Sequence, residues 1–104
     1  MNYNSINKYI EKLNKVNLNT LSITELFALK LEYLYLCSGM SQLNFACHIK
    51  INYSYFNDLI RGRKHITLTK IDIICKSLNI TPIEMFNFEI LHQIKQTKKF
   101  ITYK

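Results

Sequence analysis

The sequence predicts an all-α, single-domain protein of five successive helices, preceded by an extra N-terminal helix. Three observations predict it. Apolar residues recur at spacings of three and four in most segments. Side chains that cap helices stand ahead of those segments. Only 2 Gly and 1 Pro occur in 104 residues, which leaves little material for hairpins and barrel corners. The length suits one small domain, and folding should bury about two-thirds of the unfolded surface. Hydrophobic residues at 48% and charged residues at 20% exclude intrinsic disorder.

The first helix spans about Ser5 to Val16, with Ile6, Ile10, Leu13 and Val16 on one stripe and Lys8, Glu11, Lys12 and Lys15 off it. Residues 1–20 thus form an amphipathic helix or arm, closed by a polar break at Asn17–Thr20. Ser22 and Glu25 have capping-box spacing and open the second helix, which runs to about Ser38 and stops at Gly39. Leu26, Leu29, Tyr33 and Leu36 are its main stripe, but Phe27, Leu31, Leu34 and Tyr35 make it apolar almost all round. Such a helix needs cover on two sides, from the N-terminal helix or from a partner subunit.

Ser41 caps a short helix from Gln42 to about Ile49, and Asn52 caps another from Tyr53 to Ile60, ended by Arg61-Gly62. Thr67 caps a third whose buried face is Leu68, Ile71, Ile74, Cys75 and Leu78. Thr81-Pro82-Ile83-Glu84 combines a cap, proline at the first helical position and a glutamate three residues on. The helix it starts carries Met85, Phe86, Ile90, Leu91 and Ile94 to about Lys95. Residues 21–97 read as the main domain and 98–104 as a basic tail that frays or forms a short strand.

Fourteen basic and 7 acidic residues give a net charge of +7, a balance that attracts polyanions. Three cysteines cannot all pair within the chain. Cys37, Cys47 and Cys75 lie among apolar residues and read as small buried hydrophobes, and free thiols fit a reducing cytoplasm. The apolar stretch Leu21–Met40 is interrupted by Glu25, Lys30 and Glu32, so it is no membrane span. The N-terminus lacks a signal-peptide layout, which makes the expected location cytoplasmic. His48, His65 and His92 have no partner at metal-ligand spacing. No Ser/His/Asp or Cys/His arrangement and no Gly-rich phosphate loop is legible. No enzyme, metal, cofactor or small-molecule ligand is expected.

The informative stretch is Gly39 to Phe86. Ala46 is small where two helices must cross closely, and Phe45, Ile49, Ile51, Phe56 and Leu59 are apolar where a short helix pair packs on a bundle. Lys50 and Ile51 make a turn too short for antiparallel packing, so the pair splays at roughly 90–120°. The second helix then projects Ser54, Asn57, Asp58 and Arg61, spaced at three, four and seven, as one polar stripe. Such a stripe beside a basic loop fits a DNA major groove.

Gly39-Met40-Ser41-Gln42-Leu43-Asn44-Phe45-Ala46, Ile49-Lys50-Ile51-Asn52, Tyr55-Phe56-Asn57-Asp58-Leu59-Ile60-Arg61-Gly62-Arg63, Leu68–Leu78 and Ile80–Phe86 follow one another without insertion. This ordered set resembles the helix-turn-helix bundle of the Cro and phage-repressor type, the XRE family. The resemblance implies DNA binding by Gln42, Asn52, Tyr53, Ser54, Tyr55, Asn57 and Asp58 at the helix pair. It implies backbone contact by Arg61, Arg63, Lys64 and His65 in the following loop. Tyr55-Phe56 with Arg61-Gly62-Arg63-Lys64 and Leu68 also resembles the controller proteins of restriction–modification systems, small homodimers of the same family. Phage and mobile-element repressors are equally compatible.

This sequence departs from the pattern at three places. Lys50 stands where glycine is usual, at a cost of roughly 1–2 kcal/mol if left-handed. Ile60 replaces an acidic residue, and the reading helix carries Asp58 but no Lys or Arg before Arg61. Asp58 is expected to cap or pair with Arg61 rather than accept from cytosine. The expectation is a transcription regulator, a homodimer on double-stranded DNA with a near-palindromic operator. Its pairing surface would be the surplus apolar area of Leu26–Leu36 and of Ile90, Leu91 and Ile94. The alternative is a protein–protein module, an antirepressor or toxin–antitoxin partner, that keeps the fold without DNA contact.

Overall fold

The structure is a computed structural model and describes residues 3–102. In chain order it contains α1 (Tyr3–Asn14), a 3-10 turn (Leu18–Thr20), α2 (Ile23–Ser38), α3 (Gln42–His48), α4 (Tyr53–Ile60), α5 (Leu68–Leu78), α6 (Pro82–Met85) and α7 (Glu89–Thr97). No strand occurs among the described residues. The all-α expectation therefore holds, with one helix more than the spacing predicts.

Local capping chemistry sets most starts. Ser22 Oγ accepts from the Glu25 amide at 3.2 Å while the Ser22 amide donates to Glu25 Oε1 at 3.0 Å. Those two bonds hold the Glu25 carboxyl below its ordinary range. Ser41, Asn52, Thr67 and Thr81 each accept from the amide three residues on.

Packing centres on α2, where Phe27 to Leu31, Tyr33, Leu34 and Leu36 are buried. One side of α2 is covered by α1, the other by α3 and α4, and α7 closes against α1. The buried Tyr9 hydroxyl donates to the Leu29 carbonyl at 2.6 Å. Burial first, then the nearby Glu32 carboxylate, pushes the Tyr9 phenol pKa well up. Lys12 Nζ meets Glu32 Oε1 at 2.5 Å across the same interface. From α7, the Lys95 ammonium donates to the Leu13 carbonyl at 2.9 Å and also to those of Asn14 and Val16. A cation thus satisfies the orphan carbonyls at the end of α1. α1 stops at Asn14 instead of Val16, and the turn after it folds the supposed polar break into a 3-10 turn that buries Leu18.

Most of the apolar area expected to pair with a second subunit is covered within one chain, with Leu26 and Ile90 half-buried. Leu29, Leu31, Leu34, Leu36, Leu91 and Ile94 are buried within one chain, because α1 and the tail supply the cover. In the tail, the Phe100 ring lies 5.4 Å from Tyr33 and edge-on to Tyr9 at 6.3 Å. The Tyr33 hydroxyl donates to the Ile101 carbonyl at 2.7 Å, so Lys98–Thr102 docks rather than frays or forms a strand. Tyr103 and Lys104 lie outside the described residues.

The expected helix from Pro82 to Lys95 is broken at Phe86–Phe88 into α6 and α7. The cause is tertiary. Lys30 on α2 is only 4% exposed, and its ammonium donates to the Asn87 carbonyl at 2.5 Å. A buried ammonium needs such an acceptor, and a continuous helix would have engaged that carbonyl. Phe86 also packs on Phe27 at 6.0 Å while Phe88 stands edge-on to it at 6.2 Å. Of the three cysteines, Cys75 is buried as expected; Cys37 is half-buried, and Cys47 is exposed on the face of α3 turned from the core.

Candidate nucleic-acid interface

The α3–α4 pair is anchored from inside by Phe45, Ala46, Ile49, Phe56, Leu59 and Ile60, all buried. The Phe45 and Phe56 rings meet at 5.5 Å, and Tyr35 of α2 stands edge-on to both, at 5.7 and 5.8 Å. Aromatic contacts of this kind add to the plain burial of area. They set the pair rigidly on α2.

The turn between the helices is left-handed at Lys50, with φ 63°. The Lys50 amide donates to the Cys47 carbonyl at 3.1 Å and the Ile51 amide to Ala46 at 3.0 Å. These are the two bonds of a Schellman motif, made here with lysine where glycine is favoured. α4 ends in the same way at Gly62, φ 72°. Its amide donates to Leu59 at 3.0 Å and the Arg63 amide to Asp58 at 2.9 Å. That closure throws Arg61 to His65 outward, and all five residues are exposed.

Around this frame the expected residues separate into groups. Ser54 is exposed at the outer edge of α4, and Asn52, also exposed, spends its side-chain oxygen on the Tyr55 amide at 3.2 Å. Tyr53 is 43% exposed and its hydroxyl donates to Gln42 Oε1 at 3.4 Å. Gln42 lines one cleft with Tyr35 of α2. The Tyr35 phenol is shifted upward, by burial first and the Glu32 carboxylate second. Tyr55 is half-buried and packs on neighbours: its hydroxyl donates to the His65 carbonyl at 2.9 Å, and Lys70 Nζ stands 4.4 Å above its ring. His65 Nδ1 is 3.3 Å from Thr24 Oγ1.

Asn57 and Asp58 are half-buried, so the four-residue polar stripe is fully outward only at Ser54 and Arg61. The expected Asp58–Arg61 pair does not form: the ion pairs among the described residues are Lys12–Glu32 and Lys76–Asp72. Asn57 faces the flank of α4, where it lines a cleft with Gln42, Arg61 and, from α1, Lys8 and Lys12. On the opposite flank Lys64 and His65 border an apolar groove with Ile23, Phe27, Leu68 and Phe86. Sequence reasoning missed Tyr35, Lys70 and the two α1 lysines, since each reaches the site only through tertiary packing. No group of His, Cys, Asp or Glu among the described residues is placed to hold a metal ion. No helix among them is long and apolar enough to cross a membrane.

Two short helices joined by a tight left-handed turn, the second presenting a polar edge and a basic loop, make a helix-turn-helix protein. Over 61 residues the chain is 30% identical to control protein C.BamHI of Bacillus amyloliquefaciens, a match spanning 59% of this chain and 75% of that protein. The chain belongs to the controller-type helix-turn-helix family. No family model and no solved structure matches it.

Proposed function

We propose that the protein is a sequence-specific DNA-binding transcription regulator of the phage-repressor, XRE type. In this reading α4 enters the major groove and the loop Arg61–His65 grips the backbone. The observation that carries it is the placement of α4. Its inner face is locked by Phe56, Leu59 and Ile60, while Ser54, Arg61, Arg63 and Lys64 stand exposed along the outer edge and loop. Similarity to a control protein supports a regulator over an enzyme. Gln42, Asn52, Tyr53, Ser54, Tyr55, Asn57 and Asp58 then form or support the reading surface, in a cytoplasmic protein.

The regulator works as a homodimer on a near-palindromic operator, with reading helices roughly 34 Å apart. With most of the α2 and α7 stripes covered, pairing draws on apolar residues that remain exposed. Ile23 and Leu68, 59% and 82% exposed, rim the groove beside the loop.

Fluorescence anisotropy on labelled duplexes tests the reading. Lys64→Ala is expected to weaken binding to all sequences alike and to lower the salt slope by roughly one unit. Asn57→Ala is expected to cost about 1–3 kcal/mol on the preferred site alone, with the slope unchanged. A wild-type protein that shows no salt-dependent binding to any duplex would leave the second reading, a protein–protein module. Ile60, where the related pattern has an acidic residue, and the half-buried Asp58 on α4 favour that alternative.

A further inference from the structure

α1 does more than cover α2. Lys8 and Lys12, four residues apart and therefore on one face, line an open cleft of about 360 Å³. Gln42, Asn57 and Arg61 line the same cleft from α3, α4 and the end of α4, and Glu32 lines it from α2. The charges are distributed unevenly. Lys12 is neutralised by Glu32 at 2.5 Å, whereas neither Lys8 nor Arg61 has a carboxylate within ion-pair distance among the described residues. Both are exposed. Two unneutralised cations thus line one cleft, one from a segment outside the helix-turn-helix and one from the end of the reading helix.

We propose that this cleft is a phosphodiester clamp in which Lys8 and Arg61 together hold one backbone phosphate beside the bases that α4 reads. The inference rests on the proposed seating of α4 in the major groove and extends it. Three of the cleft's residues, Gln42, Asn57 and Arg61, belong to the reading surface itself, so a strand lying along that surface crosses the cleft mouth. The fixed Lys12–Glu32 pair leaves net positive charge at that mouth, which suits a group carrying a single negative charge. Lys8 is a point charge on a flexible stem and Arg61 a planar fork, a combination that tolerates an imprecise phosphate position. The clamp lengthens the DNA footprint by one backbone contact without adding sequence preference.

The test uses the full chain and anisotropy titrations across a salt series, with Lys8→Ala, Arg61→Ala, Lys64→Ala and the Lys8→Ala/Arg61→Ala double variant. Lys8 is exposed on α1, so its removal leaves the fold intact, and circular dichroism melting verifies that. Lys8→Ala is expected to bind roughly three- to tenfold more weakly at moderate salt, equally on preferred and random duplexes. The double variant is expected to lose no more than about one unit of salt slope in total, because a single phosphate is released. A loss near two units would mean separate phosphates and overturn the clamp, as would wild-type affinity in Lys8→Ala. If Lys64→Ala still lowers the slope in that case, the DNA-binding reading stands and only the clamp falls. A wild-type protein that binds no duplex sinks both. Inorganic phosphate separates the two sources of the ligand. Saturable shifts of the Lys8 amide by phosphate, with duplex binding indifferent to Lys8→Ala, would make the cleft a free-anion site instead.

Discussion

The Tyr55 hydroxyl donates to the His65 carbonyl at 2.9 Å, fastening the far end of the basic loop to the first turn of α4. The loop is otherwise exposed from Arg61 to His65, so this bond and the Thr24–His65 contact limit its motion. Tyr55→Phe keeps the ring beneath Lys70 and removes only the hydroxyl. It is expected to cost about 1 kcal/mol of stability and to speed amide exchange in residues 62–66. Unchanged exchange there would show that the loop is held by its Schellman closure alone.

The two left-handed closures of the site give opposite expectations. Lys50 carries a side chain at φ 63°, so Lys50→Gly should raise stability by about 1 kcal/mol in urea unfolding. Gly62→Ala should lower it by about 1 kcal/mol. A Cβ at Gly62 meets nothing within 4 Å, so that cost is purely conformational. Equal midpoints for wild type and Lys50→Gly would mean that the lysine side chain offsets its own strain.

Tyr9 makes stability sensitive to alkali. Its phenol pKa lies well above the ordinary 10.0 in the folded chain. The folded state therefore keeps its proton where the unfolded chain loses it. The resulting stability is fully present below pH 10 and declines as pH rises past it. Tyr9→Phe should cost about 1 kcal/mol at neutral pH through loss of the bond to Leu29. The gap between variant and wild type should close above pH 10. A gap that stays constant to pH 11 would contradict the burial of this hydroxyl.

Deleting residues 1–19 removes Ile6, Tyr9, Leu13 and Leu18 from the core and strips the Lys95 ammonium of its three carbonyls. The truncated chain should melt well below the full one or aggregate, since each lost buried side chain is worth about 1.5–3 kcal/mol. Unchanged melting and solubility would make α1 a dispensable arm.

Helix starts were legible because capping is local. Ser22, Ser41, Asn52, Thr67 and Thr81 each act on an amide three residues away, within reach of a pattern on the page. The break at Phe86–Phe88 was not, since it depends on Lys30, 57 residues distant along the chain. Periodicity likewise showed that α2 needed cover on two sides but could not say whose, and the tail ring of Phe100 carried no signal of its destination. The site divides in the same way. α4 and its loop follow from spacing and turn chemistry. The approach of Lys8 and Lys12 to Arg61's cleft arises only when α1 and α2 are laid together.

A core completed inside one chain bears on supply. A cooperative melt should persist at dilutions too low for pairing, with any rise in melting temperature at higher concentration reporting the pairing itself. Pairing then becomes a separate event governed by abundance. For a regulator that acts as a pair, the active form at low abundance grows with the square of the copies present. Early accumulation is then almost silent and later accumulation abrupt, a delay set by mass action rather than by any moving part of the protein.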